Sequence, residues 1–90
     1  MKIKLSDERE VGILFRYDLK STVKHTRATL TIGEQSHEGV AMVHPKEQPI
    51  RRIGRKVALA RAMRAAGLDE KARREIWAGL VSKGMRLARN

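Results

Sequence analysis

The run TVKHTRATLTI, from Thr22 to Ile32, decides the fold, because its polar and apolar residues alternate. Successive side chains of a β-strand point to opposite faces of the sheet, so residues two positions apart share a face. The odd-numbered positions carry mostly polar side chains, including His25 and Arg27, and are expected to face solvent. The even-numbered positions form the face that we expect to be buried: Thr26, Ala28, Leu30 and Ile32.

A similar run precedes this strand. From Val11 to Leu19 every odd-numbered residue is apolar, which again predicts a strand with one buried face. Ser6-Asp7-Glu8 could instead cap a helix beginning at this point. The aromatic and β-branched residues of the run, together with Gly12, favour the strand.

The chain after Ile32 continues the β pattern. Gly33 to Ser36 has the composition of a turn, and Glu38 to His44 is a further β-rich run with Val40, Met42 and Val43. We therefore predict an antiparallel β-meander of three strands, or of four if Ile3 to Leu5 adds a short one.

The pattern becomes helical after Pro45. A first helix is predicted from near Pro49, which is tolerated in a first turn, to about Ala66. Gly67 would end it, and Asp69 would cap a second helix that runs to about Ala88. The short connection predicts an antiparallel helical hairpin. The predicted fold is thus a single α+β domain over residues 1–90, with the sheet in 1–45 and a basic helical hairpin in 46–90.

The helices are expected to bury different kinds of face. In the first helix Ile50, Ile53, Val57 and Ala60 share a face that we expect to meet the sheet, whereas Leu59, Met63 and Ala66 point towards the second helix. The second helix carries one apolar stripe, made of Ala72, Ile76, Trp77, Leu80, Val81, Leu87 and Ala88. Trp77 is expected at the hairpin contact, with a homodimer contact as the alternative.

Charge is concentrated in the second half of the chain. The net charge is +10; residues 1–45 hold 7 Lys and Arg against 6 Asp and Glu, a net +1, and residues 46–90 hold 13 against 4, a net +9. Such an imbalance is an argument about binding partners rather than about fold. The chain has no Cys, no run typical of a signal peptide and no stretch long enough for a membrane span, so we expect a cytoplasmic protein with no membrane association.

The first helix carries the candidate binding site. No acidic residue lies between Arg51 and Ala66, so like charges repel at i,i+4 spacing and a bound anion would relieve that repulsion. Guanidinium groups pair with phosphate or carboxylate through two hydrogen bonds. A merely solvated basic face is the alternative. The candidate anion-binding residues are Arg51, Arg52, Arg55, Lys56, Arg61 and Arg64.

Two of these residues have a second interpretation. Arg61 and Arg64 lie close to the face expected to meet the sheet, so they would need a carboxylate such as Asp18, Glu34 or Glu38, or strand-end carbonyl groups. Arg16 and Arg27 on the outward face of the sheet form a second candidate basic surface. That surface lacks exposed aromatic side chains, because Phe15 and Tyr17 are predicted to point inward, and this disfavours sequence-specific reading of RNA.

Catalytic motifs are not found. The chain has no Cys nucleophile, no glycine-rich phosphate loop, no paired-carboxylate motif and no serine in a nucleophile elbow. The histidines His25, His37 and His44 form no metal-ligand motif. We therefore expect a protein that is not an enzyme and that has no cofactor and no metal site.

Two stretches resemble a known group of proteins. Gly39 to Gln48, GVAMVHPKEQ, and Arg51 to Ala62, RRIGRKVALARA, are similar to small phage and prophage proteins of unassigned function. The resemblance implies a phage setting and hence the cytoplasm of a host cell. It supplies an alternative to direct binding of DNA or RNA, namely an anti-defence, anti-CRISPR-like inhibitor that engages an acidic host protein or sequesters a nucleotide signal. Ribbon-helix-helix repressors are less similar, because Gly39 to His44 lacks outward polar residues that would read bases.

Overall fold

A computed structural model describes residues 1–18, 24–43 and 51–84. These residues form four antiparallel strands followed by two helices. The strands are β1 (Lys2–Lys4), β2 (Glu10–Asp18), β3 (Lys24–Ile32) and β4 (Gln35–Val43), and they lie in the sheet in chain order. The helices are α1 (Arg51–Ala65) and α2 (Glu70–Ser82). The predicted α+β class and the four-stranded version of the meander are confirmed.

The sheet buries the face that alternation predicts. Ile13 pairs with Leu30 and Phe15 with Ala28, so the odd residues of β2 and the even residues of β3 share one face. Val11, Ile13, Ala28 and Leu30 on that face are buried in the core. The strand prediction for residues 11 to 18 is confirmed over the helix alternative. Leu19 and the beginning of the Thr22 to Ile32 run lie outside the described residues.

The turn between β3 and β4 is tighter than its composition indicated. Ile32 pairs directly with Gln35, so only Gly33 and Glu34 connect the two strands. Gly33 has φ 60°, in the left-handed region where a residue without Cβ is unstrained. β4 therefore begins at Gln35, three residues before the predicted start. Its buried residues include Gly39 and Ala41, whereas Met42 is 65% exposed on the opposite face.

Helix α1 packs on the sheet through small side chains, which corrects the predicted contact face. The buried residues are Gly54, Ala58, Leu59, Ala62 and Met63. A Cβ built on Gly39 would collide with backbone atoms of α1, so helix and strand backbones are nearly in contact. Large β-branched side chains would hold these backbones apart.

The residues expected on that contact face lie elsewhere. Ile53 is 44% exposed, Val57 is half-buried and Ala60 is exposed, and Ile50 lies outside the described residues. The prediction placed the large apolar residues against the sheet. The helix lies so close to Gly39 that only the small residues Gly54, Ala58 and Ala62 can occupy this contact. The outward face of α1 therefore carries both apolar and basic side chains.

Helix α2 begins where the sequence predicts and ends earlier. The Asp69 carboxylate accepts a hydrogen bond from the Ala72 amide at 2.8 Å, which caps the helix. The prediction of a helix to about Ala88 is wrong, because α2 ends at Ser82 and Gly84 has φ 91°, outside the helical region. Leu87 and Ala88 lie outside the described residues.

The buried stripe of α2 is narrower than predicted. Ala72, Ile76 and Leu80 are buried, Trp77 is half-buried, and Val81 is 54% exposed. This stripe faces β1, where a Cβ built on Gly79 would lie 2.9 Å from Ile3 Cγ2. Both helices add buried residues to the core on one face of the sheet, and Leu14 and Met42 on the opposite face are exposed. Neither helix is long and apolar enough to cross a membrane.

Candidate anion-binding surface

The basic residues of α1 are distributed around the helix rather than gathered on one face. Arg51 and Arg52 form its first turn, and their side chains lie outside the described residues. Arg55 and Lys56 are half-buried, whereas Arg61 and Arg64 are exposed. At 3.6 residues per turn these positions face several directions. The individual contacts therefore decide which of them are available to a ligand.

Arg55 is held at the end of the sheet. Its Nη1 donates a hydrogen bond to the Tyr17 hydroxyl at 3.2 Å. This bond joins α1 to the C-terminal end of β2. The Nε of Arg55 is buried and has no hydrogen-bond partner among the described residues. A buried N–H that stays unpaired lowers the stability of the fold. The described contact of Arg55 is with a phenol, and none of the ion pairs between described residues includes it.

Arg61 reaches the edge of the sheet. Its Nη1 donates to the Val40 carbonyl oxygen at 2.6 Å. β4 is an edge strand, so one side of its backbone has no neighbouring strand to satisfy it. The interpretation of Arg61 as a structural partner of strand carbonyls is supported by this contact, although Val40 lies within the strand rather than at its end. None of the proposed carboxylates, Asp18, Glu34 or Glu38, is its partner.

Arg64 lies at a groove between the two helices, which we call the interhelix groove. The groove has a volume of about 420 Å³, and its lining consists of Ala60, Met63 and Arg64 from α1 with Glu70, Arg73, Arg74 and Trp77 from α2. Arg64 is exposed and does not meet the sheet, so the prediction that placed it on the sheet-facing side is wrong. The correct contact face of α1 lies on the other side of the helix axis.

The interhelix groove is basic and only partly neutralised. Arg74 Nη2 pairs with Glu70 Oε1 at i,i+4 spacing, and Glu70 is the single carboxylate in the lining. Arg64 and Arg73 form no ion pair with any described residue. Two guanidinium groups that form no ion pair with a described carboxylate therefore border one cavity together with an indole ring.

Sequence reasoning missed this groove because it treats each helix alone. Arg73 and Trp77 are four residues apart, and this i,i+4 spacing indicates a shared face of α2. This spacing does not identify the neighbouring element, because only the folded chain brings Arg64 of α1 to the same cavity. Trp77 was expected at the helix contact, and it does border the groove.

The outward face of the sheet joins Arg16 and Arg27 as predicted, since the two residues are paired across β2 and β3. A cleft of about 200 Å³ lies beside them, lined by Arg16, Tyr17, Asp18, His25 and Arg27. Arg27 Nη1 forms an ion pair with Glu38 Oε2 at 3.3 Å, and Asp18 borders the same cleft. This surface is therefore closer to electrical balance than the interhelix groove.

No protein-family model, curated protein or solved structure matches this chain. The assignment of a function therefore depends on the residues themselves. Among residues 1–18, 24–43 and 51–84, no group of three or more His, Cys, Asp or Glu side chains lies close enough to hold a metal ion.

Two carboxylates among the described residues have lowered pKa values, and both contact the turn between β1 and β2. The Arg9 backbone amide donates to Asp7 at 3.1 Å and, with the Arg9 side chain, lowers the pKa of Asp7. Ser6 donates hydrogen bonds to Glu75 of α2, including one from its amide at 3.2 Å, and lowers the pKa of Glu75. Both carboxylates are thus engaged in structure and are not used to neutralise α1.

Proposed function

We propose that the protein is a small, non-enzymatic binding protein that contacts nucleic acid, DNA or RNA, through the arginines of α1. One observation carries the proposal: Arg55, Arg61 and Arg64 have no carboxylate partner among the described residues, in a chain of net charge +10. If the protein's own acids had paired with these groups, no binding partner would be needed to explain them.

The use of the carboxylates elsewhere supports the proposal. Four ion pairs join described residues to one another, and none of these four includes an arginine of α1: Lys2–Glu10, Asp7–Arg9, Arg27–Glu38 and Glu70–Arg74. Asp69 caps α2, and Glu75 accepts from Ser6. Most of the acidic residues therefore have structural partners, while α1 keeps a positive field that attracts polyanions.

Phosphate is the anion that fits this surface best. Guanidinium groups pair with phosphate oxygens in two hydrogen bonds, and a polyanion offers several phosphates to residues that face different directions. Each phosphate that is neutralised releases condensed counterions, which makes binding steeply dependent on salt. The proposal includes the cytoplasm of a host cell as the location, on the strength of the resemblance to phage and prophage proteins.

The test is fluorescence polarisation with labelled duplex DNA, single-stranded DNA and RNA over a salt series. We expect binding that weakens linearly on a log–log plot of affinity against salt, with a slope that counts the phosphate contacts. Arg64→Gln should lower the slope by about 1. Arg9→Gln is the matched control, because it removes the same charge from a residue that is already paired with Asp7. Absence of binding at low salt would refute the proposal.

A second candidate is an anti-defence inhibitor that binds an acidic host protein. The observation that favours it is the mixed outward face of α1, where Ile53 is 44% exposed and Val57 is half-buried on the same side as Arg64. Apolar side chains together with arginine are typical of protein interfaces, whereas phosphate contacts need no apolar neighbour. Ile53→Ser should weaken a protein complex and leave the affinity for nucleic acid unchanged, which separates the two candidates.

A further inference from the structure

We propose that the interhelix groove binds a single nucleotide unit, with its base against the Trp77 indole and its phosphate between Arg64 and Arg73. The inference deepens the proposed function and rests on it through Arg64, which belongs to both surfaces. It adds a ligand class, a base adjoining a phosphate, and it adds residues from α2 that the α1 surface does not include.

The position of Trp77 supports a stacking site. Part of the indole packs against the hydrophobic core, and the side chain remains half-buried while it borders the groove. An aromatic ring that already packs on the core offers a ligand apolar surface with little further loss of side-chain freedom. Bases stack on such rings regardless of sequence, because every base has a π face.

The charges of the groove supply the second half of the site. Arg64 comes from α1 and Arg73 from α2, and both line the cavity. Neither is paired with a described carboxylate, and Glu70 is committed to Arg74. A phosphate group placed between Arg64 and Arg73 would pair with guanidinium groups that form no ion pair with a described carboxylate.

The size of the cavity favours one nucleotide over a duplex. At about 420 Å³ the groove lies within the range of roughly 300–1,000 Å³ typical of small-molecule sites. Its apolar lining includes Ala60 and the half-buried Trp77, which suit a base rather than a phosphate backbone. The bases of a duplex have their π faces covered by stacking, so only a free nucleotide or a single strand can offer one to Trp77.

The experiment uses Trp77 as its own reporter, because it is the only tryptophan in the sequence. The intact protein is titrated with ADP, with a short single-stranded oligoadenylate and with pyrophosphate, while tryptophan emission is recorded. We expect ADP or the oligoadenylate to quench the emission, and pyrophosphate to compete without quenching. ADP and the oligoadenylate distinguish a free nucleotide from a nucleotide within a strand.

Variants separate stacking from packing. Trp77→Leu keeps an apolar side chain against the core but removes the ring, and should lower affinity about 5- to 150-fold. Trp77→Phe keeps an aromatic face and should retain most of the affinity. Arg73→Gln should weaken all three ligands, and Arg9→Gln should change none of them. Circular dichroism confirms that each variant is folded before its affinity is compared.

The outcomes distinguish this inference from the proposed function. If the oligoadenylate binds by polarisation but leaves Trp77 emission and the Trp77→Leu affinity unchanged, the groove inference is overturned and the α1 surface stands. If ADP quenches the emission and no nucleic acid binds, the groove stands and the proposed function fails. Equal losses in Trp77→Leu and Trp77→Phe would assign Trp77 to packing and overturn the stacking site. If none of the ligands binds, both fail.

Discussion

Replacing Gly39 with alanine should separate α1 from the sheet. The added Cβ would lie 2.9 Å from the Arg61 carbonyl carbon and closer still to Ala58 O and Ala62 N. All three are backbone atoms, so no side chain can rotate away. Gly39 does not have a positive φ, which means that the effect comes from the close approach and not from backbone strain.

The magnitude follows from the size of the overlap. Non-bonded heavy atoms are most stable at about 3.5–4.0 Å, so relief of the closest overlap would require α1 to move outward by more than about 1 Å along its contact with β4. Overpacking costs about 1–3 kcal/mol where side chains can adjust, and we expect about 3 kcal/mol or more at this rigid contact. At about 4–8 °C per kcal/mol for a domain of this size, the melting temperature should fall by about 12–24 °C.

The assay is urea denaturation monitored by circular dichroism, and Gly12→Ala is the matched control. Gly12 lies in the same sheet, and its added Cβ would be 3.7 Å from Thr31 Cβ, an ordinary contact. This control should be neutral or more stable by about 0.4–1 kcal/mol, because alanine restricts the unfolded chain. If Gly39→Ala were as stable as Gly12→Ala, the near contact of the two backbones would be refuted.

Three further predictions concern stability. Asp69→Ala removes the cap of α2 and should cost about 0.5–2 kcal/mol in urea denaturation, whereas Asp69→Asn should retain most of the stability. Glu75→Gln should be less stable than the wild type at neutral pH. The folded-state pKa of Glu75 lies below its ordinary value of 4.5, so the difference in the free energy of unfolding should persist above pH 4.5 and vanish as the pH falls through the lowered pKa. A difference in the free energy of unfolding that stays constant in acid would contradict the Ser6 contact. Gly54→Ala should destabilise the fold because its Cβ would lie 3.1 Å from Thr26 Cβ and closer to Oγ1. Adding Thr26→Ala should recover part of that loss in a double-mutant cycle, and strict additivity would argue against the contact.

The sheet could be predicted from sequence because its signal is local. Residues two apart in the run to Ile32 report directly on which face is buried, and no knowledge of the helices is needed. The turn at Gly33 and the cap at Asp69 are local in the same sense. Each depends on the chemistry of a few neighbouring residues.

The contacts of α1 could not be predicted, because they depend on a residue far away in the chain. In the sequence, Ile53 and Val57 predict an apolar contact face. Because Gly39 lies directly under the helix, only the side with the small residues Gly54, Ala58 and Ala62 can approach the sheet closely enough. For the same reason Arg64, which was predicted to contact the sheet, lies instead in the interhelix groove. The interhelix groove itself requires two helices, so no periodicity within one of them could indicate it.

The hydrogen bond from Arg61 to Val40 has a consequence for association between molecules. A further strand added beyond β4 would need the Val40 carbonyl oxygen as the acceptor for one of its amides. That oxygen already accepts a hydrogen bond from the Arg61 guanidinium. Displacing the guanidinium would expose one N–H group and leave its charge beside the incoming backbone. One side chain of a helix thus makes the long outer strand a poor template for fibril growth.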